Sequence, residues 1–132
     1  MEKPTFEQAV SLLVEADDRY AVDAYCFLRD TVDVASEEAR QKNDGEFRHV
    51  RGPEILEAFR KLGLARFGPM AKTVFDEWGV RTCEDVGEMV FVLIDAGIFG
   101  KSEEDSLEDF KAIYDFEQAF VEPFKPKARR RS

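Results

Sequence analysis

Apolar residues recur at three- and four-residue steps along most of the chain, a spacing that predicts helices. Phe6, Val10, Leu13 and Val14 predict a short amphipathic helix with Thr5 as its N-cap, stopping near Asp17-Asp18. Tyr25, Leu28, Val32, Ala35 and Ala39 form one stripe, while Asp23, Asp30, Asp33, Glu37 and Glu38 lie mostly elsewhere on the wheel. That pattern predicts a long helix over about 21–42, ended by the turn signal Asn43-Asp44-Gly45. Glu46-Phe47-Arg48-His49-Val50 alternates as a short strand would. Gly52-Pro53 then places proline at the first position of a helix running to about Phe67, with Ile55, Leu56, Phe59 and Leu62 inward.

Gly68-Pro69 ends that helix and starts another of about ten residues, carrying Met70, Val74, Phe75 and Trp78 on one side before Gly79 supplies a left-handed cap. Thr82-Cys83-Glu84-Asp85 is a capping-box variant leading into Val86, Met89, Val90, Leu93 and Ile94, and Gly97 closes the helix. Gly87 inside it costs about 1 kcal/mol relative to Ala, which is understandable if another backbone packs closely there.

Taken in order, residues 54–116 read as helix, helix, short turn, helix, then a hairpin. Ile98-Phe99-Gly100-Lys101 is the outgoing strand, Glu103-Glu104-Asp105 lies near the tip, and the alternation Phe110, Ala112, Tyr114, Phe116 is the returning strand. A helix starting at Ser106 is the competing reading, because Ser106-Leu107-Glu108-Asp109 is another weak capping box. The expected fold is mainly α, a helical bundle with a winged-helix-like helix-turn-helix core and a small β-hairpin wing. Residues 1–124 form one domain, with N-terminal helices over 6–42 and the core over 46–122, and 125–132 is a disordered basic tail. An ordinary helical bundle is the plain alternative.

At 132 residues, with 44% hydrophobic and 36% charged, the chain has the apolar content for one core. Nineteen Lys and Arg against 28 Asp and Glu give a net charge of -9, and such a surface repels phosphate backbones. The body is more acidic still, because the last eight residues hold five of the positive charges. One His and two Cys, Cys26 and Cys83, do not assemble a Cys/His zinc site, so no metal or cofactor is expected. No apolar run approaches a membrane span and no secretory signal opens the chain, so the cytoplasm is the expected location.

Arg48-His49-Val50-x-Gly52, Phe67-Gly68-Pro69-x-Ala71-Lys72-Thr73-Val74, Trp78-Gly79-Val80-Arg81 and Lys101-x-x-x-Asp105-Ser106-x-Glu108-Asp109-Phe110 carry a resemblance. Over roughly residues 20–122 the chain resembles a family of small acidic bacterial proteins whose activity is uncharacterised. Its central part, from Ala71-Lys72 through Trp78-Gly79-Val80 to Gly97-Ile98, resembles the winged-helix superfamily. The resemblance implies a bacterial cytoplasmic origin and carries no functional residues.

A DNA-reading helix leads with its N-terminal residues, flanked by Arg or Lys on phosphates. Here the candidate starts Cys83-Glu84-Asp85-Val86-Gly87-Glu88, and the wing tip is acidic too, which argues against sequence-specific DNA binding. Glu84 and Asp85 have a plain explanation in the helix dipole. Lys125, Lys127, Arg129, Arg130 and Arg131 are the one plausible polyanion contact, or else a solvated end. Any triad chemistry must use His49, the lone imidazole, and Arg48, His49 and Arg51 near the Pro53 helix start are a candidate anion site. A hydrogen-bonded structural His is the plainer reading. No metal-loop or phosphate-loop spacing is present, so no catalytic residue is assigned.

Phe27 and Phe91 fall off their helices' main stripes and mark either a partner or self-association face or a helix buried on two sides. The binding candidates are therefore Arg48, His49, Arg51, Lys72, Trp78, Arg81 and Phe91. The expected function is a non-catalytic protein–protein interaction module. The alternatives are a nucleic-acid-associated accessory protein using the basic tail, and an anion binder or enzyme centred on Arg48, His49 and Arg51.

Overall fold

A computed structural model of the chain describes residues 5–46, 50–99, 110, 111 and 113–125. The order is α1 (Phe6–Ala16), α2 (Val22–Lys42), α3 (Gly52–Phe67), a 3-10 turn (Gly68–Met70), α4 (Ala71–Trp78), α5 (Cys83–Asp95), α6 (Phe116–Phe120) and a final 3-10 turn (Glu122–Phe124). The protein is mainly helical, with no strand among the described residues.

Helix starts follow local chemistry. Thr5 Oγ1 accepts from the Gln8 amide at 3.1 Å while Gln8 Oε1 accepts from the Thr5 amide at 2.9 Å, a reciprocal capping box. Thr82 and Asp85 do the same for α5: Thr82 Oγ1 accepts from the Asp85 amide at 3.0 Å, and Asp85 Oδ2 accepts from Thr82 at 3.1 Å. Asp115 Oδ1 accepts from the amides of Glu117 and Gln118 and so nucleates α6. Pro53 is the second residue of α3, behind Gly52, one place later than its sequence position suggests.

Helix α3 sits at the centre, packed against α2, α4, α5 and α6, and α1 rests mainly on α2. One buried cluster draws on all six helices, with Val10, Leu28, Leu56, Phe59, Phe75, Met89, Leu93 and Phe120 fully enclosed. Phe27 is 3% exposed, with its ring 5.0 Å from Phe59 and 5.5 Å from Phe75, so α2 is buried on two sides and this ring marks no outer face. Met70, expected inward, is 57% exposed because it precedes α4 in the 3-10 turn and falls off that helix's inner stripe.

The hairpin wing is not seen among the described residues. The amides of Ile98 and Phe99 both donate to the Leu93 carbonyl, at 2.9 and 3.1 Å, so both close α5 and do not begin a strand. Phe110 lies in a helical turn, and Asp115 caps α6 at the point where the alternation predicts a returning strand. Phe110, Phe116 and Phe120 are all buried, which their even spacing would also allow on one face of a strand; it is the helical turns of α6, Phe116–Phe120, that replace the expected strand. The expected wing tip and the centre of the expected 46–50 strand lie outside the described residues. Gly87 does meet a close neighbour, but it is the Phe110 side chain and not a backbone: a Cβ there would stand 2.7 Å from Phe110 Cβ and Cγ.

Gly79 closes α4 at φ 87°, and a Cβ on it would collide with the Arg19 carbonyl oxygen, whereas Gly97 closes α5 at φ 76° with open space around it. Both positions carry the left-handed cost of about 1–2 kcal/mol for a non-glycine residue. Gly79→Ala is expected to add a backbone clash to it, so urea unfolding should show Gly79→Ala lowering stability clearly more than Gly97→Ala.

Candidate functional site

The link between α1 and α2 is tied to α5 by polar side chains. Arg19 grips Asp17 through Nε and Nη2, at 3.0 and 2.8 Å, and its Nη1 reaches Glu88 Oε2 at 3.1 Å. The Tyr20 hydroxyl lies 2.9 Å from Asp85 Oδ1 and 2.8 Å from Glu88 Oε2, so its single proton serves one carboxylate at a time. Burial, reinforced by these two carboxylates, pushes the Tyr20 phenol well above its ordinary range. On the other side, the Ala21 amide donates to the Trp78 carbonyl at 3.1 Å. The acids that open α5 are thus partly accounted for: Asp85 caps the helix with one oxygen and meets Tyr20 with the other.

This clamp fixes one end of a groove between α1 and α5. At the other end, Phe6 stacks on Phe99 with ring centres 6.2 Å apart, and the Arg29 guanidinium lies 4.9 Å over the Phe6 ring. Between them, Ala9, Leu12, Leu13 and Ala16 recur at helical spacing along α1 and face Val92, Ala96 and Ile98 across an open apolar groove of about 550 Å³. Leu12 is 65% exposed in it. The charged residues lining the groove are Asp17 and Asp95.

Two other depressions differ in chemistry. A cleft of about 400 Å³ at the start of α5 is lined by Arg81, Cys83, Glu84, Ile113, Tyr114 and Gln118, among others. Its thiol is buried and donates to the Tyr114 carbonyl at 3.2 Å. Burial pushes the Cys83 pKa up, which keeps it in the poorly nucleophilic thiol form. The Tyr114 hydroxyl donates to the Leu56 carbonyl at 2.7 Å and is likewise pushed up by burial, so this phenol ties the segment to α3. A smaller depression of about 230 Å³ between α2 and α3 is bordered by Glu38, Lys42, Glu57 and Lys61.

The sequence-derived candidates are scattered. Arg48 and His49 lie outside the described residues, as do Lys127, Arg129, Arg130 and Arg131. Arg51 stands exposed before α3, its amide donating to Glu54 Oε1 at 3.0 Å. Lys72 pairs with Asp76 at 2.6 Å, and Arg81 approaches the same carboxylate at 3.8 Å. Lys125 pairs with Glu122 and Glu117. Such exposed, solvent-screened pairs contribute little to stability. Trp78 is half-buried among Phe27, Phe67 and Phe75, and Phe91 is half-buried with its ring edge-on to Phe110. None of these candidates lines the α1/α5 groove; its exposed member, Leu12, lies off the Phe6, Val10, Leu13, Val14 stripe, the same kind of signal that singles out Phe27 and Phe91, and the sequence reading passes it over. Among the described residues no group of three or more metal-ligating side chains converges, and no helix is long and apolar enough to cross a membrane.

Fully buried Tyr25 carries a hydroxyl with no hydrogen-bond partner among the described residues. Burial first, then the negative charges of Asp17 and Glu88, push its phenol up to about 12 from an ordinary 10.0, with Arg19 opposing. An unfolded chain therefore loses this proton first, so stability attached to Tyr25 is complete below pH 10 and falls as pH climbs toward 12. Tyr25→Phe removes an unsatisfied buried group, whose cost is about 1–3 kcal/mol. It is expected to raise the thermal midpoint at neutral pH and to blunt the alkaline loss; calorimetry across the pH range checks both.

Comparison with known protein families, with curated proteins and with solved structures finds no match to this chain.

Proposed function

We propose that the protein is a non-catalytic protein–protein interaction module of the bacterial cytoplasm, and that it receives an apolar segment of its partner in the groove between α1 and α5. The observation that carries this reading is the exposed Leu12 in a groove whose apolar lining includes Ala9, Ala16, Val92 and Ala96. Two helices presenting side chains at helical spacing make the kind of channel into which a third helix lays its apolar face. Small residues let the incoming backbone approach, and fully burying a leucine contributes about 1.5–3 kcal/mol. The walls are held before any partner arrives, by the Phe6–Phe99 stack at one end and the Arg19–Glu88 contact at the other. Binding thus need not order them, which lowers the entropic cost of association. The winged-helix likeness of the α3–α5 region is kept within this proposal as a scaffold, with α5 serving as a groove wall.

The test is a photo-reactive amino acid at position 12, introduced into the full chain in cells of the source organism. A discrete crosslinked protein is expected, and it should vanish when Ala96→Trp fills the groove. Equal crosslinking from position 61, on the outer face of α3, or no product at position 12, would overturn the reading.

A further inference from the structure

The α1/α5 groove has a sign as well as a shape, and the sign selects a partner. Resting on the reading above that this groove binds a protein segment, we infer that its occupant is a basic amphipathic helix of another protein, with an apolar stripe flanked by Lys or Arg.

The charged side chains lining the groove are both carboxylates, Asp17 and Asp95. Asp17 is ion-paired with Arg19, whose hydrogen bonds lower its pKa and keep it ionised; Asp95 has no ion pair among the described residues. Helix ends add to this. α1 finishes at Ala16 and α5 at Asp95, both at the groove, and neither has a basic residue in its last turn. A helix C-terminus carries about half a negative charge on its unsatisfied carbonyls, and a nearby cation normally offsets it. At the α1 end one guanidinium, Arg19, is shared between two carboxylates, Asp17 and Glu88, which leaves a negative charge in excess there; Arg29 is engaged on Asp30 and over Phe6, and the α5 end adds Asp95.

A second copy of the chain fits poorly. A two-fold pairing through this groove brings the carboxylates of both copies onto one interface, on chains that each carry -9. An apolar segment with an acidic border meets the same repulsion. Cationic flanks around an apolar stripe answer both the floor and the rim.

The experiment uses fluorescent designed peptides of about 14 residues, roughly four helical turns, titrated with the full chain at about 0.15 M salt. One peptide carries a leucine stripe flanked by lysine; two others keep the stripe with glutamine or glutamate flanks; a fourth has the Leu/Lys composition scrambled. The Leu/Lys peptide should bind saturably and about tenfold more tightly than the Leu/Gln peptide, with the glutamate and scrambled peptides not binding. Leu12→Asp, at an exposed position that leaves the core intact, should weaken the Leu/Lys peptide about tenfold. Asp95→Lys should weaken it too and admit the glutamate peptide. Thermal unfolding confirms that each variant is folded.

Equal affinity for the lysine and glutamine peptides, with both lost in Leu12→Asp, overturns the basic partner while leaving the groove as a protein site. Binding of the lysine peptide that ignores Leu12→Asp or matches the scrambled sequence reflects diffuse attraction to the acidic body and overturns the proposal. A dimer abolished by Leu12→Asp, or tighter peptide binding after truncation following Phe124, assigns the groove to a second copy or to the chain's own basic end and overturns it likewise. Absence of binding by every peptide removes both this proposal and the groove reading beneath it.

Discussion

The ring of Phe75 is the contact on which the remaining structure depends. Centred on α4, it meets Phe59 at 4.8 Å, Phe120 at 5.0 Å, Phe27 at 5.5 Å and Phe116 at 6.0 Å, and thereby joins α2, α3, α4 and α6. Aromatic pairs contribute about 0.5–1.5 kcal/mol each beyond the area they bury. The approach is close enough to demand glycine opposite: a Cβ on Gly63 would stand 2.8 Å from Phe75 Cζ. With most of its Phe residues turned inward, the chain spends its aromatic content on this junction. Among the described residues the exposed large apolar side chains are Leu12, Met70, Ile113 and Phe124.

Helices α1 and α5 lie away from that junction and are held by different chemistry. Their spacing is governed by Arg19 and Tyr20 on the interhelical link, by Asp85 and Glu88 on α5, and by the stack of Phe6 on Phe99. Gly79 allows the α4–α5 turn to lie against the Arg19 backbone, so the same link is braced from below. A polar clamp and an aromatic stack at opposite ends hold two helices without closing the space between them. The groove is the consequence: apolar residues at helical spacing that none of the described elements covers.

The acidic opening of α5 illustrates how a charge pattern can be read correctly for its plain cause and still hide its structural use. Asp85 is a capping residue, as Thr82-Cys83-Glu84-Asp85 suggests, and its other oxygen meets a tyrosine 65 positions away. Sequence spacing carries no trace of that second contact. The same holds for Cys83, whose place at a helix start is legible, while the Tyr114 carbonyl that receives its proton is brought there only by the packing of the C-terminal segment.

By itself the sequence determined the helices: their number through residue 97, the caps Thr5 and Thr82, the glycine ends at 79 and 97, and the buried stripes of α2, α3 and α5. These depend on contacts within a few residues, which spacing and capping chemistry encode directly. The tertiary structure alone decided that Phe27 faces inward, that Phe110 packs on Gly87 without a strand, and that Leu12, off the α1 stripe, borders an apolar groove against α5. Helical periodicity tells which side of a helix is apolar. Whether a neighbour covers that side depends on where distant helices come to rest, and for α1 the clamp and the stack set that distance.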